Sequence, residues 1–175
     1  RRAAPVTSPW AGPGASANPP GSAGRHYNAG VNRQPVSVTI ITRNEAARLP
    51  AALASAAWAD EIVVVDAEST DKTASIAREF TDHVFVRPWP GFSAQKNFGI
   101  AQATGEWILS VDADEEVSPA LKEQILAAVA SAEAADGYRI PRENILWGRV
   151  IRHGGLYPDW QLRLFRRGRG RFVAT

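Results

Sequence analysis

Between residues 36 and 130 the chain alternates continuous apolar runs with stretches whose apolar positions fall three or four apart. Val36–Thr42 (VSVTIIT) is apolar and β-branched, which predicts a buried strand. Leu49–Ala57 predicts a short helix, with Pro50 tolerated in its first turn. Glu61–Asp66 (EIVVVD) predicts a second buried strand, and Ser69-Thr70-Asp71 supplies N-cap chemistry for a helix over Lys72–Phe80. A third strand is predicted at His83–Val86 and a third helix at Ser93–Ala103, ending at Gly105. Trp107–Val111 predicts a fourth strand running into Asp112-Ala113-Asp114. Ser118-Pro119 then opens an amphipathic helix to about Ala130, with Leu121, Ile125, Leu126 and Val129 on its apolar side.

Strands that are apolar along their length, alternating with helices, predict an α/β fold: a mostly parallel, Rossmann-like sheet covered by helices on both faces. After Gly137 the periodicity gives way to short strands and loops, including Tyr138–Pro141 and Gln161–Phe165. These are expected to form a second region laid over one end of the sheet. Residues 1–35 are rich in Pro, Gly, Ala and Ser and lack apolar periodicity, so a disordered arm is expected there, with the folded domain over residues 36–175.

Composition narrows the picture. The 175 residues contain no cysteine, which removes disulfides, thiolate zinc sites and cysteine nucleophiles and fits a reducing compartment. No apolar run approaches the ~20 residues of a membrane-spanning helix, and no apolar h-region follows Arg1 and Arg2. With no methionine anywhere and a last stretch, Arg171–Thr175, that reads as the middle of a strand, the sequence is expected to be a fragment. The net charge of +2 conceals segregation: residues 37–138 carry seven basic and sixteen acidic side chains, whereas residues 139–175 carry nine arginines against Glu143 and Asp159. An acidic body with a basic end is not the footprint of a nucleic-acid binder. It suits a protein needing both a cation site and an anion- or membrane-facing surface.

Open parallel sheets bind ligands at the carboxyl ends of their strands. Three predicted strands end there in polar groups: Thr42-Arg43-Asn44-Glu45, Asp66 and Asp112-Ala113-Asp114. Asp112 and Asp114, two residues apart on a loop leaving a buried strand, can offer oxygen ligands to Mg²⁺ or Mn²⁺. Such a metal would neutralise charge developing on a departing diphosphate. The plain alternative is an acidic approach to the helix that starts near Ser118. Asp66 can accept hydrogen bonds from a nucleobase or ribose, or from Ser69 or Thr70 in a local turn. Lys96 lies near a helix start, where a phosphate contact would explain a cation. No glycine-rich loop follows the first strand, which argues against a dinucleotide-binding dehydrogenase and a P-loop nucleotidase.

The runs VSVTIITRNEA, ADEIVVVDAESTDKT and GFSAQKNFGIAQATGEWILSVDADEEVSP, followed by GGLYPDWQLRLFRRGRGRF, resemble glycosyltransferase family 2. The likeness is greatest to its small bacterial branch of lipopolysaccharide-core glucosyltransferase-like enzymes. The resemblance covers roughly residues 36–172. It implies a GT-A fold, a nucleotide-diphosphate-sugar donor with UDP-hexose foremost, a divalent metal (Mn²⁺ or Mg²⁺), and hexose transfer with inversion to a saccharide or lipid-linked acceptor. Carried over by position, it puts Thr42, Asn44 and Glu45 against the nucleotide and Asp66 on base or ribose. Lys96 then falls near the nucleotide, Asp112 and Asp114 form the D-x-D motif with Asp114 the more direct metal ligand, and Gln161 and Arg163 fall on the acceptor side.

Direct inversion needs a carboxylate base on the acceptor hydroxyl. Asp159 is the candidate, with a turn residue after Pro158 as its alternative. Trp147, Tyr157 and Trp160 can form a sugar platform or pack in a core. Arg163, Arg166, Arg167, Arg169 and Arg171 can face anionic lipid. The expected setting is cytoplasmic and peripheral at the membrane. The alternative to an active enzyme is a non-catalytic nucleotide-sugar-binding module.

Overall fold

The computed structural model describes residues 2–3, 34–146, 149–150 and 158–173. Residues 4–33 of the expected arm, together with Trp147 and Tyr157, lie outside the described residues. In chain order the strands are β1 (Arg2–Ala3), β2 (Val36–Thr42), β3 (Glu61–Asp66), β4 (Val84–Val86), β5 (Trp107–Asp112), β6 (Glu116–Val117), β7 (Gly137–Glu143), β8 (Ile145–Leu146), β9 (Arg149–Val150) and β10 (Asp159–Arg166). The helices are α1 (Leu49–Ala56), α2 (Thr73–Arg78), α3 (Phe92–Gln102) and α4 (Pro119–Ala130). Among the described residues, one sheet runs in the order β4-β3-β2-β5-β10-β7-β1-β6, and β8 pairs with β9 separately.

The four strands β4, β3, β2 and β5 are parallel, while β10 and β7 join antiparallel. The segments β7 and β10 therefore extend the sheet rather than lying over its end. Their mixed polarity reflects a half that carries charged side chains inward. Every residue of β2 is buried, because a central parallel strand is covered on both faces. Val36, Val38 and Ile40 meet α1 and α4 residues such as Leu53 and Ile125. Ile41, Val63, Val65 and Ile108 form the opposite core, with Phe98 and Ile100 of α3 against it. Helices thus cover both faces, as expected.

Two local features set how tightly the layers close. A Cβ at Gly105 would stand 2.6 Å from Ser37 Oγ and 2.8 Å from Ser37 N, so the turn between α3 and β5 seats directly on β2. Ser118 caps α4 by accepting the Leu121 N–H at 3.2 Å, as the Ser-Pro sequence predicts. The cap expected for α2 differs. Lys72 occupies the N-cap without a side-chain bond, and Asp71 instead accepts the Thr73 N–H two residues on, an Asx-turn rather than a cap.

Candidate active site

Parallel register brings three strand ends to one edge: Thr42 lies opposite Asp66, and Ile41 opposite Asp112. Since β10 is antiparallel to β5, its first residues arrive at the same edge. Thr42 is buried, and among the described residues its hydroxyl has no hydrogen-bond partner. Both polar atoms of the fully buried Gln95 are likewise unpartnered.

Beyond β2 the backbone turns at Asn44, which takes φ of 53°, a left-handed conformation that asparagine tolerates. Its side-chain Oδ1 accepts the Thr70 N–H at 2.8 Å, and its own N–H donates to Ser69 Oγ at 2.8 Å. Glu45 N–H donates to Thr73 Oγ1 at 2.8 Å, and Ala46 N–H to Asp71 Oδ2 at 3.2 Å. Ser69 and Thr73 pass these contacts on, because their hydroxyls donate to Asp66 and Asp71. The loops after β2 and β3 are therefore clasped together. Asp66, fully buried, anchors that clasp by also accepting the Ser69 N–H at 2.9 Å. Of its two sequence readings, the local turn with Ser69 is the contact present.

The second group is a line of alternating charges. Lys96 Nζ lies 2.7 Å from Asp112 Oδ1, and Arg163 Nη2 lies 2.9 Å from Asp112 Oδ2. The same Arg163 nitrogen reaches Glu115 Oε1 at 2.7 Å. Arg142 Nη1 meets that oxygen at 3.5 Å, and Arg142 Nε donates to Asp159 Oδ2 at 3.0 Å. Gln161 Nε2 donates to Asp159 Oδ1 at 2.7 Å. The contact Lys96 makes is thus with a carboxylate, where the sequence reading expected a phosphate, and Gln161 holds Asp159.

The turn after β5 is closed in both directions. Glu115 N–H donates to the Asp112 carbonyl at 3.0 Å, and Glu115 Oε2 accepts the Asp112 N–H at 3.0 Å.

Electrostatics follow from these contacts. Burial pushes the Asp112 carboxyl upward, but the charges of Arg163 and then Lys96, with their hydrogen bonds, hold it at about 2. Asp159 is held below the ordinary carboxylate range by the Gln161 hydrogen bond and then by Arg142. Both are ionised at neutral pH, and Asp159 is a weaker base than a free carboxylate.

The structure thus joins Lys96, Asp112 and Arg163 in one cluster and Asp159 and Gln161 in its extension, with Asp114 on the same turn as Asp112. Thr42, Asn44, Glu45 and Asp66 form the neighbouring loop pair. Sequence reading gave Glu115 only as part of the acidic approach to the helix near Ser118 and passed over Arg142; together they link the two ends of the line. Arg163 is buried rather than available to a membrane. Arg166 is half-buried, lying 3.2 Å from Glu106 Oε1 and stacked on Trp107. Arg167, Arg169 and Arg171 remain exposed, as does Trp160.

No cluster of three or more His, Cys, Asp or Glu side chains is arranged to hold a metal among the described residues. Asp112 and Asp114 are the carboxylates this turn offers to a hard divalent ion of the Mg²⁺ type, which binds through one or two carboxylates and completes its shell with water and substrate phosphate; such an ion would share Asp112 with Lys96 and Arg163. No helix among the described residues is long and apolar enough to cross a membrane.

Comparison with known proteins adds three findings. The family model described as "Glycosyl transferase family 2" matches residues 37–174. The chain is 33% identical over 147 residues to the lipopolysaccharide core biosynthesis glycosyltransferase LpsC of Rhizobium meliloti, covering 81% of this chain and 54% of LpsC. It is 48% identical over 91 residues to an uncharacterized glycosyltransferase of Rickettsia bellii, covering 51% of this chain and 31% of that protein. It thus spans about half of the first relative and a third of the second. Among solved structures, S. aureus TarS 1-349 in complex with UDP-GlcNAc superposes with a TM-score of 0.55 at 25% identity, over 68% of this chain and 37% of TarS.

Proposed function

The chain belongs to glycosyl transferase family 2, and from that premise we propose that its described edge is the donor site of an inverting, metal-dependent hexosyltransferase. Its fold is of the GT-A type. The observation that carries the reading is the Asp112–Glu115 turn, a closed loop at the carboxyl end of a central strand whose first carboxylate is held ionised between two cations. Asp114 and Asp112 would hold the metal, whose chemistry is to neutralise charge on the leaving diphosphate. Lys96 and Arg163 place positive charge against the same turn and favour a diphosphate there. The unpartnered Thr42 hydroxyl leaves a polar group for the nucleotide at the tip of β2, beside the clasped loops of Asn44, Glu45 and Asp66.

Asp159 is the candidate base. One of its oxygens would take the proton of the acceptor hydroxyl as the hydroxyl oxygen bonds to the anomeric carbon and the nucleoside diphosphate departs from the opposite face. The relationship to LpsC supports a lipopolysaccharide-core saccharide as acceptor, and UDP-GlcNAc in TarS supports a UDP-sugar donor. The exposed Arg167, Arg169 and Arg171 support peripheral contact with anionic lipid from the cytoplasmic side.

The test is a thermal-shift panel of UDP, GDP, CDP and ADP, each with Mn²⁺ or EDTA, on the wild type and Asp114→Ala, with turnover of UDP-glucose measured alongside. A ligand at a hundred times its Kd stabilises by about 2.7 kcal/mol. A shift for one nucleotide, lost in EDTA and in the variant, is expected. No metal-dependent shift for any nucleotide refutes the donor site. Binding without turnover leaves a non-catalytic donor-binding module.

A further inference from the structure

We propose that Glu115 is the positioning residue of this site: it shapes the Asp112–Asp114 turn for its metal and nucleotide and fixes that turn to the acceptor-side strands. The inference rests on the donor-site reading above.

Glu115 is 4% exposed, although it stands in an acidic run where a solvated side chain is the ordinary outcome. Burial of a carboxylate persists only with full pairing, and each of its oxygens has a separate task. Oε2 accepts the Asp112 N–H at 3.0 Å, closing the turn from the side-chain direction while the Glu115 N–H closes it along the backbone. Oε1 receives Arg163 at 2.7 Å and Arg142 at 3.5 Å. Arg163 is itself buried on β10 and also grips Asp112 Oδ2 and the Ser110 carbonyl. Arg142, on β7, grips Asp159. Without the Glu115 charge, Arg142 keeps Asp159 as its counter-ion, whereas Arg163 is left with Asp112. Arg163 is then drawn further onto Asp112, and the turn loses the bond that aims its carboxylates. Glu115 touches no reacting atom in this scheme. It acts through Asp112 and Asp114.

The discriminating quantity is the ratio of the UDP dissociation constant in EDTA to that in Mn²⁺, measured by calorimetry on the wild type and Glu115→Gln. The amide preserves shape and its carbonyl can still accept one bond, but it removes the charge. The expected result is a folded variant whose ratio falls at least tenfold. A role confined to stability would lower the melting temperature and leave the ratio at the wild-type value, which overturns the proposal. Should Glu115→Gln fail to fold, Arg163→Lys decides. It keeps the charge but loses the guanidinium that spans Asp112 and Glu115, so a ratio reduced several-fold is expected and an unchanged one overturns the proposal. A wild type that binds UDP with no dependence on Mn²⁺ removes the donor-site reading itself, and this inference with it.

Discussion

Replacing Asp112 with asparagine keeps the shape of the side chain and removes the charge that separates Lys96 from Arg163. The size of the effect can be worked from its proton affinity. The carboxyl titrates at about 2, against an ordinary 3.8, because the two cations outweigh the cost of burial. At about 1.4 kcal/mol per tenfold change in affinity, that difference corresponds to a stabilisation of about 2–3 kcal/mol by the ionised form. The folded-state value lies below the unfolded one. The contribution is therefore complete above about pH 4 and is lost as pH falls toward 2. Asp112→Asn should cost about 2–3 kcal/mol at pH 7, or roughly 5–10 °C in melting temperature for a domain of this size. Urea titrations of both proteins at pH 7, 5, 4 and 3 give the difference directly. It should hold constant from pH 7 to 5 and narrow below 4. A gap that stays the same width down to pH 3, or that is absent at pH 7, would mean that the ion pairs of Asp112 do not stabilise the fold in the way its geometry requires.

Other substitutions test separate parts of the structure. Asn44→Ala removes the acceptor for the Thr70 N–H and puts a poorly suited residue at φ of 53°. It should cost about 1–2 kcal/mol in chemical denaturation and weaken nucleotide binding, and a variant matching the wild type in both would argue that the clasp is incidental. Gly105→Ala drives a Cβ to 2.8 Å from the Ser37 backbone nitrogen, and a loss above about 3 kcal/mol is expected. A normal melting curve would show that the turn can move away from β2. Arg142→Gln takes the guanidinium from Asp159, whose carboxyl should titrate higher than in the wild type when followed by carbon NMR. No upward movement would assign the depression to Gln161 alone.

The parallel half of the sheet was legible because continuous burial writes itself into residue type. The bounds of β2 and β3 follow their apolar runs, and the convergence of Thr42, Asp66 and Asp112 follows from parallel topology. The antiparallel half was harder. In β7 the polar Arg139 and Arg142 flank Ile140 and Pro141, and no periodicity says that such a segment pairs with β10. The roles of individual site residues were less legible still. Within Asp114-Glu115-Glu116, nothing in spacing distinguishes the buried Glu115 from its neighbours, since its burial is decided by guanidinium groups 27 and 48 residues further along. The hydrogen bonds of Asn44 to Ser69 and Thr70 span 25 and 26 residues, so no local pattern could report them.

The clasp between the loops after β2 and β3 also constrains how this protein can change. Surface loops ordinarily accept insertions and deletions one at a time. Here four backbone N–H groups find their acceptors in the opposite loop. A change of length in one strands the donors of the other. The two loops therefore form a single heritable unit. Altering donor preference at this edge, by natural drift or by engineering, requires transplanting both loops together with their Asp66 anchor. Grafting either one alone should give an unstable chimera before it gives a new specificity.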